Sequence, residues 1–115
     1  MLFRSTGGLS GPAIKPLALR CVWLVARACQ VPVVGMGGIM NADDVLEFMV
    51  AGASLVQLGT LHFVEPRAVP SLLKDLERVV QEEGLGNIQG VVGTLKTVHA
   101  SPWSEPSASR AMVEG

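Results

Sequence analysis

The stretch Val31-Pro-Val-Val-Gly-Met-Gly-Gly-Ile-Met40 constrains the fold more than any other part of the chain. A short β-branched run ends in glycine, and the pair Gly37-Gly38 follows shortly before Asn41, a residue suited to cap a helix. A strand that passes through glycines into a helix can bring bare backbone N–H groups to an anion at the strand's carboxyl end. Taken alone, the pair also fits an ordinary β-to-α turn.

Two further glycine turns have the same strand-end or helix-start character. Gly7-Gly8-Leu9-Ser10-Gly11 precedes the first helical pattern, and Gly59-Thr60 closes a second apolar run. Gly11 by itself could be a simple helix-start turn. Three such turns in succession instead predict a phosphate site, because glycine permits positive φ and a close approach of backbone to ligand.

Composition limits the alternatives. The chain has 115 residues, of which 49% are hydrophobic, and a net charge of −1. This length allows one domain or part of one. The charge provides no electrostatic basis for binding nucleic acid or an acidic membrane surface, so neither is expected as a partner. No apolar run approaches the length of a transmembrane span, and the N-terminus lacks the apolar core of a signal peptide.

The cysteines, Cys21 and Cys29, lie eight residues apart in one apolar helical pattern. We expect both to be buried small hydrophobes and not a disulfide or metal site. Light cysteine usage favours a reducing, cytoplasmic location. No metal-ligand spacing occurs in the sequence, so no metal is predicted.

Helical and strand patterns alternate along the chain. Helices are predicted from Pro16 to about Ala28, from 42 to 50, from 72 to 83 with Ser71 as cap, and over a short span near 88–95. Strands are predicted at 31–35 and 55–58, the first one covered on both faces because it is uniformly apolar. In the first helix, one stripe is expected to face the core: Leu17, Cys21, Leu24, Val25 and Ala28.

Strands that alternate with helices indicate parallel pairing. A closed (β/α)8 barrel takes about 250 residues, more than twice this length. The predicted fold is therefore α/β, the C-terminal portion of a (β/α)8 TIM barrel with two parallel strands and flanking helices. Residues 1–98 would form this portion, and 99–115, rich in Ser, Pro and Glu, a loose polar tail.

Three long motifs together resemble the C-terminal third of the dihydroorotate dehydrogenase family, most closely its class 1, NAD-linked subtype. The motifs occur in the family's order and spacing and cover about residues 6–96. They are Thr6-Gly-Gly-Leu-Ser-Gly-Pro-Ala-Ile-Lys-Pro-Leu-Ala-Leu-Arg20, the stretch 31–40, and Ala51-Gly-Ala-Ser-Leu-Val-Gln-Leu-Gly-Thr60. A related segment occurs in dihydropyrimidine dehydrogenase-like flavoenzymes, which are the alternative. A truncated product, a misassigned start or one part of a split enzyme would each fit the short length.

The resemblance implies a TIM barrel that holds FMN at its C-terminal face. The residues carried over to FMN phosphate binding are Gly11, Gly37, Gly38, Gly59 and Thr60, with Ser10 bordering the flavin. We further expect Gly38→Val to abolish flavin binding by occupying the space of the phosphate. The implied reaction oxidises (S)-dihydroorotate to orotate in pyrimidine biosynthesis, with flavin carrying the hydride chemistry.

The resemblance also implies what is missing. The family's cysteine base, substrate asparagines and flavin-side lysine all precede Gly7, so no catalytic residue is assigned and the chain alone is expected to be inactive. An FAD- and iron–sulfur-containing electron-transfer subunit and a homo-oligomer are the implied partners. A non-catalytic barrel fragment that acts by association or self-pairing is the second hypothesis.

Several other residues have side chains that could carry a function. Lys15 could be a phosphate partner or a solvated charge. His62 is interpreted as a solvated or packing residue, and His99, in the tail, carries no functional signal. Trp23 and Trp103 are interpreted as packing residues, and Glu82-Glu83 as a solvated helix end.

Overall fold

The computed structural model describes residues 6–97. The predicted tail 99–115, with His99 and Trp103, lies outside the described residues. The chain runs through a short 3-10 helix (Pro12–Ile14), helix α1 (Lys15–Ala28), strand β1 (Val34–Met36), helix α2 (Ala42–Ala51) and strand β2 (Leu55–Gln57). Helix α3 (Leu61–Val64), helix α4 (Ala68–Glu82) and a second 3-10 helix (Ile88–Val91) follow.

The two strands pair in parallel, as predicted. The register aligns Val34 with Leu55, and Met36 with Gln57. Helix α2 connects them, so β1, α2 and β2 form one βαβ unit. Asn41 caps α2 by accepting a hydrogen bond from the Asp44 N–H, and Gly52 ends it at φ 124°. The predicted start and end of this helix are therefore confirmed to within one residue.

The core lies between α2 and the strands. Phe48 is fully buried, and it packs tightly against Gly35 of β1. A Cβ atom on Gly35 would lie 2.6 Å from the Phe48 ring and 3.0 Å from the Ala53 side chain. Glycine in the strand thus allows the helix to approach the sheet closely.

The opposite face of the sheet is open. Val34, Met36 and Leu55 are 47%, 54% and 62% exposed, and they alternate with the buried Gly35 and the half-buried Val56. The prediction that the first strand is covered on both faces is therefore wrong for residues 6–97. A uniformly apolar strand indicates two covering layers, but this stretch of chain supplies only one of them.

Helix α1 buries a different face from the predicted one. Val22 is buried, and Ala18, Leu19 and Trp23 pack against the core. Leu17, Val25 and both cysteines are instead exposed. The predicted stripe and the burial predicted for Cys21 and Cys29 are thus wrong. Both sides of α1 are apolar, so periodicity alone could not choose between them.

The C-terminal helices also differ from the prediction. Helix α4 begins at Ala68 and not after Ser71. Pro70 is its third residue, a position where the missing N–H would have had no intrahelical acceptor, so proline is tolerated there. Helix α3 was not predicted, and the last helical segment is a single 3-10 turn. After that turn, the N–H groups of Gly93 and Leu95 bond to the carbonyls of Met49 and Val50 at the end of α2.

Candidate functional site

A cavity of about 350 Å³ opens where the carboxyl ends of β1 and β2 meet. All five residues predicted to bind a phosphate line this cavity. None of the lining residues carries a charged side chain; they are Leu9, Ser10, Gly11, Ile14, Met36, Gly37, Gly38, Ile39, Met40, Gln57, Gly59 and Thr60. The three glycine turns, separated along the sequence, therefore converge on one place.

The backbone around the cavity has the conformation that the glycines permit. Gly11, Gly37 and Gly38 have φ values of 80°, 117° and 78°, which side-chain-bearing residues rarely adopt. Within residues 6–97, the N–H groups of Gly38, Ile39, Gly59 and Thr60 have no hydrogen-bond acceptor in the protein. Four uncommitted amides on one uncharged cavity suit an anionic ligand.

The glycine pair also packs tightly against the start of α1. A Cβ atom on Gly38 would lie 2.7 Å from the Gly11 carbonyl oxygen and 3.0 Å from the Lys15 backbone nitrogen. A Cβ atom on Gly37 would lie 2.9 Å from the Ala18 side chain. A side chain on Gly38 would therefore strike protein backbone first, which differs from the predicted collision with a phosphate.

Lys15 is neither a cavity residue nor a free surface charge. Its Nζ atom lies 2.5 Å from Asp44 Oδ1 and 2.9 Å from Glu47 Oε2, both on α2. The side chain of Lys15 is 27% exposed, that of Asp44 only 9%, and that of Glu47 50%. The inner ion pair, with Asp44, is thus the better shielded of the two.

Asp44 is hydrogen-bonded to three residues at once: Lys15, Met40 and Asn41. Its Oδ2 atom accepts a hydrogen bond of 2.8 Å from the Met40 N–H, and its own N–H donates to Asn41 Oδ1 at 2.9 Å. This arrangement resembles a capping box, with the acid of the first turn reaching back to the residue before the cap. The spacing Asn41-x-x-Asp44 in the sequence is a signal for this capping role.

The two partners shift each other's pKa in opposite directions. Burial alone would raise the pKa of Asp44, but hydrogen bonds from Lys15 and the Met40 N–H outweigh it and lower that pKa below the ordinary value. Hydrogen bonds to Asp44 and Glu47 raise the pKa of Lys15. Both groups are therefore charged at neutral pH.

The other candidate residues lie away from the cavity. His62 is exposed, in agreement with a solvated histidine. Trp23 packs on α1 between two arginines, Arg20 and Arg27, at 4.6 and 4.7 Å from its ring centre. Glu82 pairs with Arg78 at 3.6 Å. Sequence reasoning did not identify Met36 and Gln57, which line the cavity from the strand ends.

The part of the chain that the structure describes has neither a metal-binding cluster nor a membrane-spanning helix. No group of three or more His, Cys, Asp or Glu side chains in residues 6–97 is arranged to hold a metal ion. No helix in that range is both long enough and apolar enough to cross a membrane.

A parallel βαβ unit with an uncharged, glycine-lined cavity at its strand ends defines an α/β protein with a candidate anion site. The sequence model described as dihydroorotate dehydrogenase matches residues 2–80, and the chain belongs to that family. Two similar proteins are the catalytic subunits of dihydroorotate dehydrogenase B (NAD(+)) from Geotalea uraniireducens and Trichlorobacter lovleyi. They are 52% and 53% identical over 97 and 96 residues. Each match covers 84% of this chain and 32% of the relative, so the chain spans about a third of their length.

A solved structure is similar as well. It is a dihydroorotate dehydrogenase from Eimeria tenella, in complex with ferulenol, with a TM-score of 0.70 and 29% sequence identity. The similarity covers 78% of this chain and 25% of that one. The predicted family is thereby confirmed, and the described α/β fold agrees with a member of it.

Proposed function

We propose that this chain is the FMN-phosphate-binding, C-terminal portion of a dihydroorotate dehydrogenase barrel. The observation that carries the proposal is the convergence of three glycine turns on one uncharged cavity, where four backbone N–H groups have no acceptor among residues 6–97. Gly11, Gly37, Gly38, Gly59 and Thr60 would hold the phosphate. Backbone amides bind a dianion through charge-assisted hydrogen bonds, and the Thr60 hydroxyl can add one more donor.

The position of the cavity supports the same proposal. In (β/α)8 barrels, active sites lie at the carboxyl ends of the strands, often with a phosphate site after the last ones. The cavity lies at the corresponding ends of β1 and β2. The open sheet face, with Val34, Met36 and Leu55, suits a position in a barrel whose remaining strands would cover it.

The parent enzyme would oxidise (S)-dihydroorotate to orotate in the cytoplasm, with FMN as the hydride acceptor. The relatives are named catalytic subunits, which supports a separate electron-transfer subunit as partner. The chain alone would not catalyse the reaction, because the cavity residues offer no cysteine, histidine, lysine or carboxylate as a base. The family match favours this reading over a dihydropyrimidine dehydrogenase-like flavoenzyme.

The decisive experiment compares FMN with riboflavin, which lacks the phosphate. Flavin fluorescence is titrated with the purified 115-residue chain, and dihydroorotate oxidation is assayed in parallel. We expect FMN to bind at least roughly tenfold more tightly than riboflavin, since the four amides would contact only the phosphate. Equal affinities, or no binding of either flavin, would overturn phosphate binding by the free chain.

A second candidate function is association, favoured by the exposed apolar sheet face and by the outer strand edges, which no strand among residues 6–97 pairs with. The occupant would be the portion of a barrel that precedes the matched region in the relatives, or a second copy of the chain. Co-expression with that portion of the Geotalea uraniireducens protein, followed by size-exclusion chromatography, tests it. Co-elution with bound flavin would support association, and separate monomers would contradict it.

A further inference from the structure

We propose that Asp44 is a positioning residue that sets the separation of two glycine turns and keeps Lys15 out of the cavity. The inference rests on the proposed phosphate site. It adds a residue that lies outside the cavity and would act on the ligand only through its neighbours.

Asp44 is connected to the Gly37-Gly38 turn through the backbone of Met40. Asp44 Oδ2 holds the N–H of Met40, which is two residues after Gly38 and lines the cavity. The Met40 N–H therefore points to a carboxylate of the protein and is not available to an anion. Its backbone position, and with it the loop that leaves the glycine pair, is fixed to the first turn of α2.

Asp44 is connected to the Gly11 turn through the side chain of Lys15. Asp44 Oδ1 holds the ammonium of Lys15, the first residue of α1. Lys15 follows Gly11 by four residues, and the backbone of both packs against Gly38. One buried carboxylate thus holds both turns, and Asp44 is the single charged residue among the buried residues of the described chain.

The Lys15 ion pairs also determine the charge of the cavity lining. A lysine only a few residues from Gly11 could reach a bound dianion if nothing restrained it. Two carboxylates, Asp44 and Glu47, restrain it at 2.5 and 2.9 Å. The cavity lining consequently stays neutral, and its selectivity depends on the geometry of the amides.

Electrostatics and positioning predict opposite results for Asp44→Asn. Removal of a negative charge and release of Lys15 would by electrostatics alone tighten the binding of an anion. If Asp44 positions the turns, the amides lose their alignment and binding weakens. The sign of the change therefore distinguishes the two roles.

The experiment measures FMN affinity for Asp44→Asn, Lys15→Met and the double variant of the 115-residue chain. We expect each single variant to bind FMN roughly tenfold more weakly than the wild type. The double variant should bind no more weakly than the single variants, because both substitutions break the same Lys15–Asp44 ion pair. Asp43→Asn is the matched control: Asp43 is the preceding, exposed acid of the same helical turn. Unchanged or tighter binding by Asp44→Asn would overturn the proposal.

A ligand-free measurement separates this inference from the proposed function. Amide hydrogen exchange of Met40, whose N–H donates to Asp44 Oδ2, is followed by NMR in the same variants. Faster exchange in Asp44→Asn and Lys15→Met, but not in Asp43→Asn, supports positioning even if the wild-type chain fails to bind FMN. Wild-type exchange rates in both variants would overturn it. If circular dichroism shows that Asp44→Asn is unfolded, Lys15→Met alone decides the outcome.

Discussion

Gly38 lies so close to the carbonyl oxygen of Gly11 that a Cβ atom on Gly38 would be 2.7 Å from that oxygen. The two glycines come from different turns, 27 positions apart, and each has positive φ. The close approach of their backbones, and not only the space needed by a ligand, requires glycine at position 38. Gly38 therefore affects both the stability of the fold and the shape of the site.

This contact predicts a large difference between two glycine substitutions. Gly38→Ala should destabilise the chain by about 2–4 kcal/mol, because it combines steric overlap with a strained φ. Gly59→Ala is the matched control, since a Cβ atom there meets nothing within 4 Å, and it should change stability by less than about 0.5 kcal/mol. Urea unfolding followed by circular dichroism measures both. Similar midpoints for the two variants would contradict the assignment.

The core residue Phe48 provides a second comparison. Phe48 is 0% exposed and Phe63 is 91% exposed, so the same substitution removes a buried ring in one case and a solvated ring in the other. We expect Phe48→Ala to cost about 3–5 kcal/mol, or to unfold the chain outright. Phe63→Ala should be within about 0.5 kcal/mol of wild type. Thermal unfolding by calorimetry decides, and an equal loss in both would show that Phe63 is also covered in solution.

The ion pair of Lys15 and Asp44 predicts a pH dependence of stability. The pKa of Asp44 is lowered in the folded chain, so its contribution is present above the ordinary value of 3.8 and is lost as the pH falls through the folded pKa. The pKa of Lys15 is raised, so its contribution is present below 10.5 and is lost as the pH rises through the folded value.

We therefore expect the free energy of unfolding of the wild type to fall at both extremes of pH. Asp44→Asn should be less stable than wild type at pH 7, and the difference should shrink as the pH drops below 4. Urea titrations between pH 2.5 and 7 measure this, with Asp43→Asn as the control. A constant difference across that range would show that the Asp44 charge does not contribute.

Much of the βαβ unit could be predicted from sequence because its signals are local. Asn41 and Gly52 are capping residue types with a specific geometry, and they lie at the start and the end of α2. The packing face of α1 could not be predicted, because both faces of the helix are apolar. One face carries Ala18, Val22 and Trp23, and the other carries Leu17, Cys21 and Val25. That choice depends on which layers are present, which is not a local property.

The site divides in the same way. Two of the three glycine turns, at Gly11 and at Gly37-Gly38, have positive φ, which favours glycine, so the residue type itself indicates them in the sequence. The ion pair of Lys15 with Asp44 spans 29 positions, and charges that distant leave no periodic signal. The pairing of Lys15 with Asp44 is therefore visible only in the folded chain.

The exposure of the cysteines provides a chemical check on the corrected face of α1. Cys21 and Cys29 are free and exposed, so both should react with a thiol reagent in the native chain within minutes, without denaturant. Absorbance during reaction with Ellman's reagent measures the count. Fewer than two fast thiols would mean that this face is covered in solution, for example by a second copy of the chain.

The Thr60 hydroxyl is the one side-chain donor among the five residues assigned to the phosphate. Thr60→Val keeps the shape of the side chain, including the methyl group that faces Gly11, and removes only the hydroxyl. We expect FMN to bind roughly three- to tenfold more weakly, which corresponds to the loss of one hydrogen bond to a charged group. Riboflavin is the internal control, because its affinity should not change. A parallel loss for both flavins would mean that Thr60 acts on the isoalloxazine or ribityl part of the ligand and not on the phosphate.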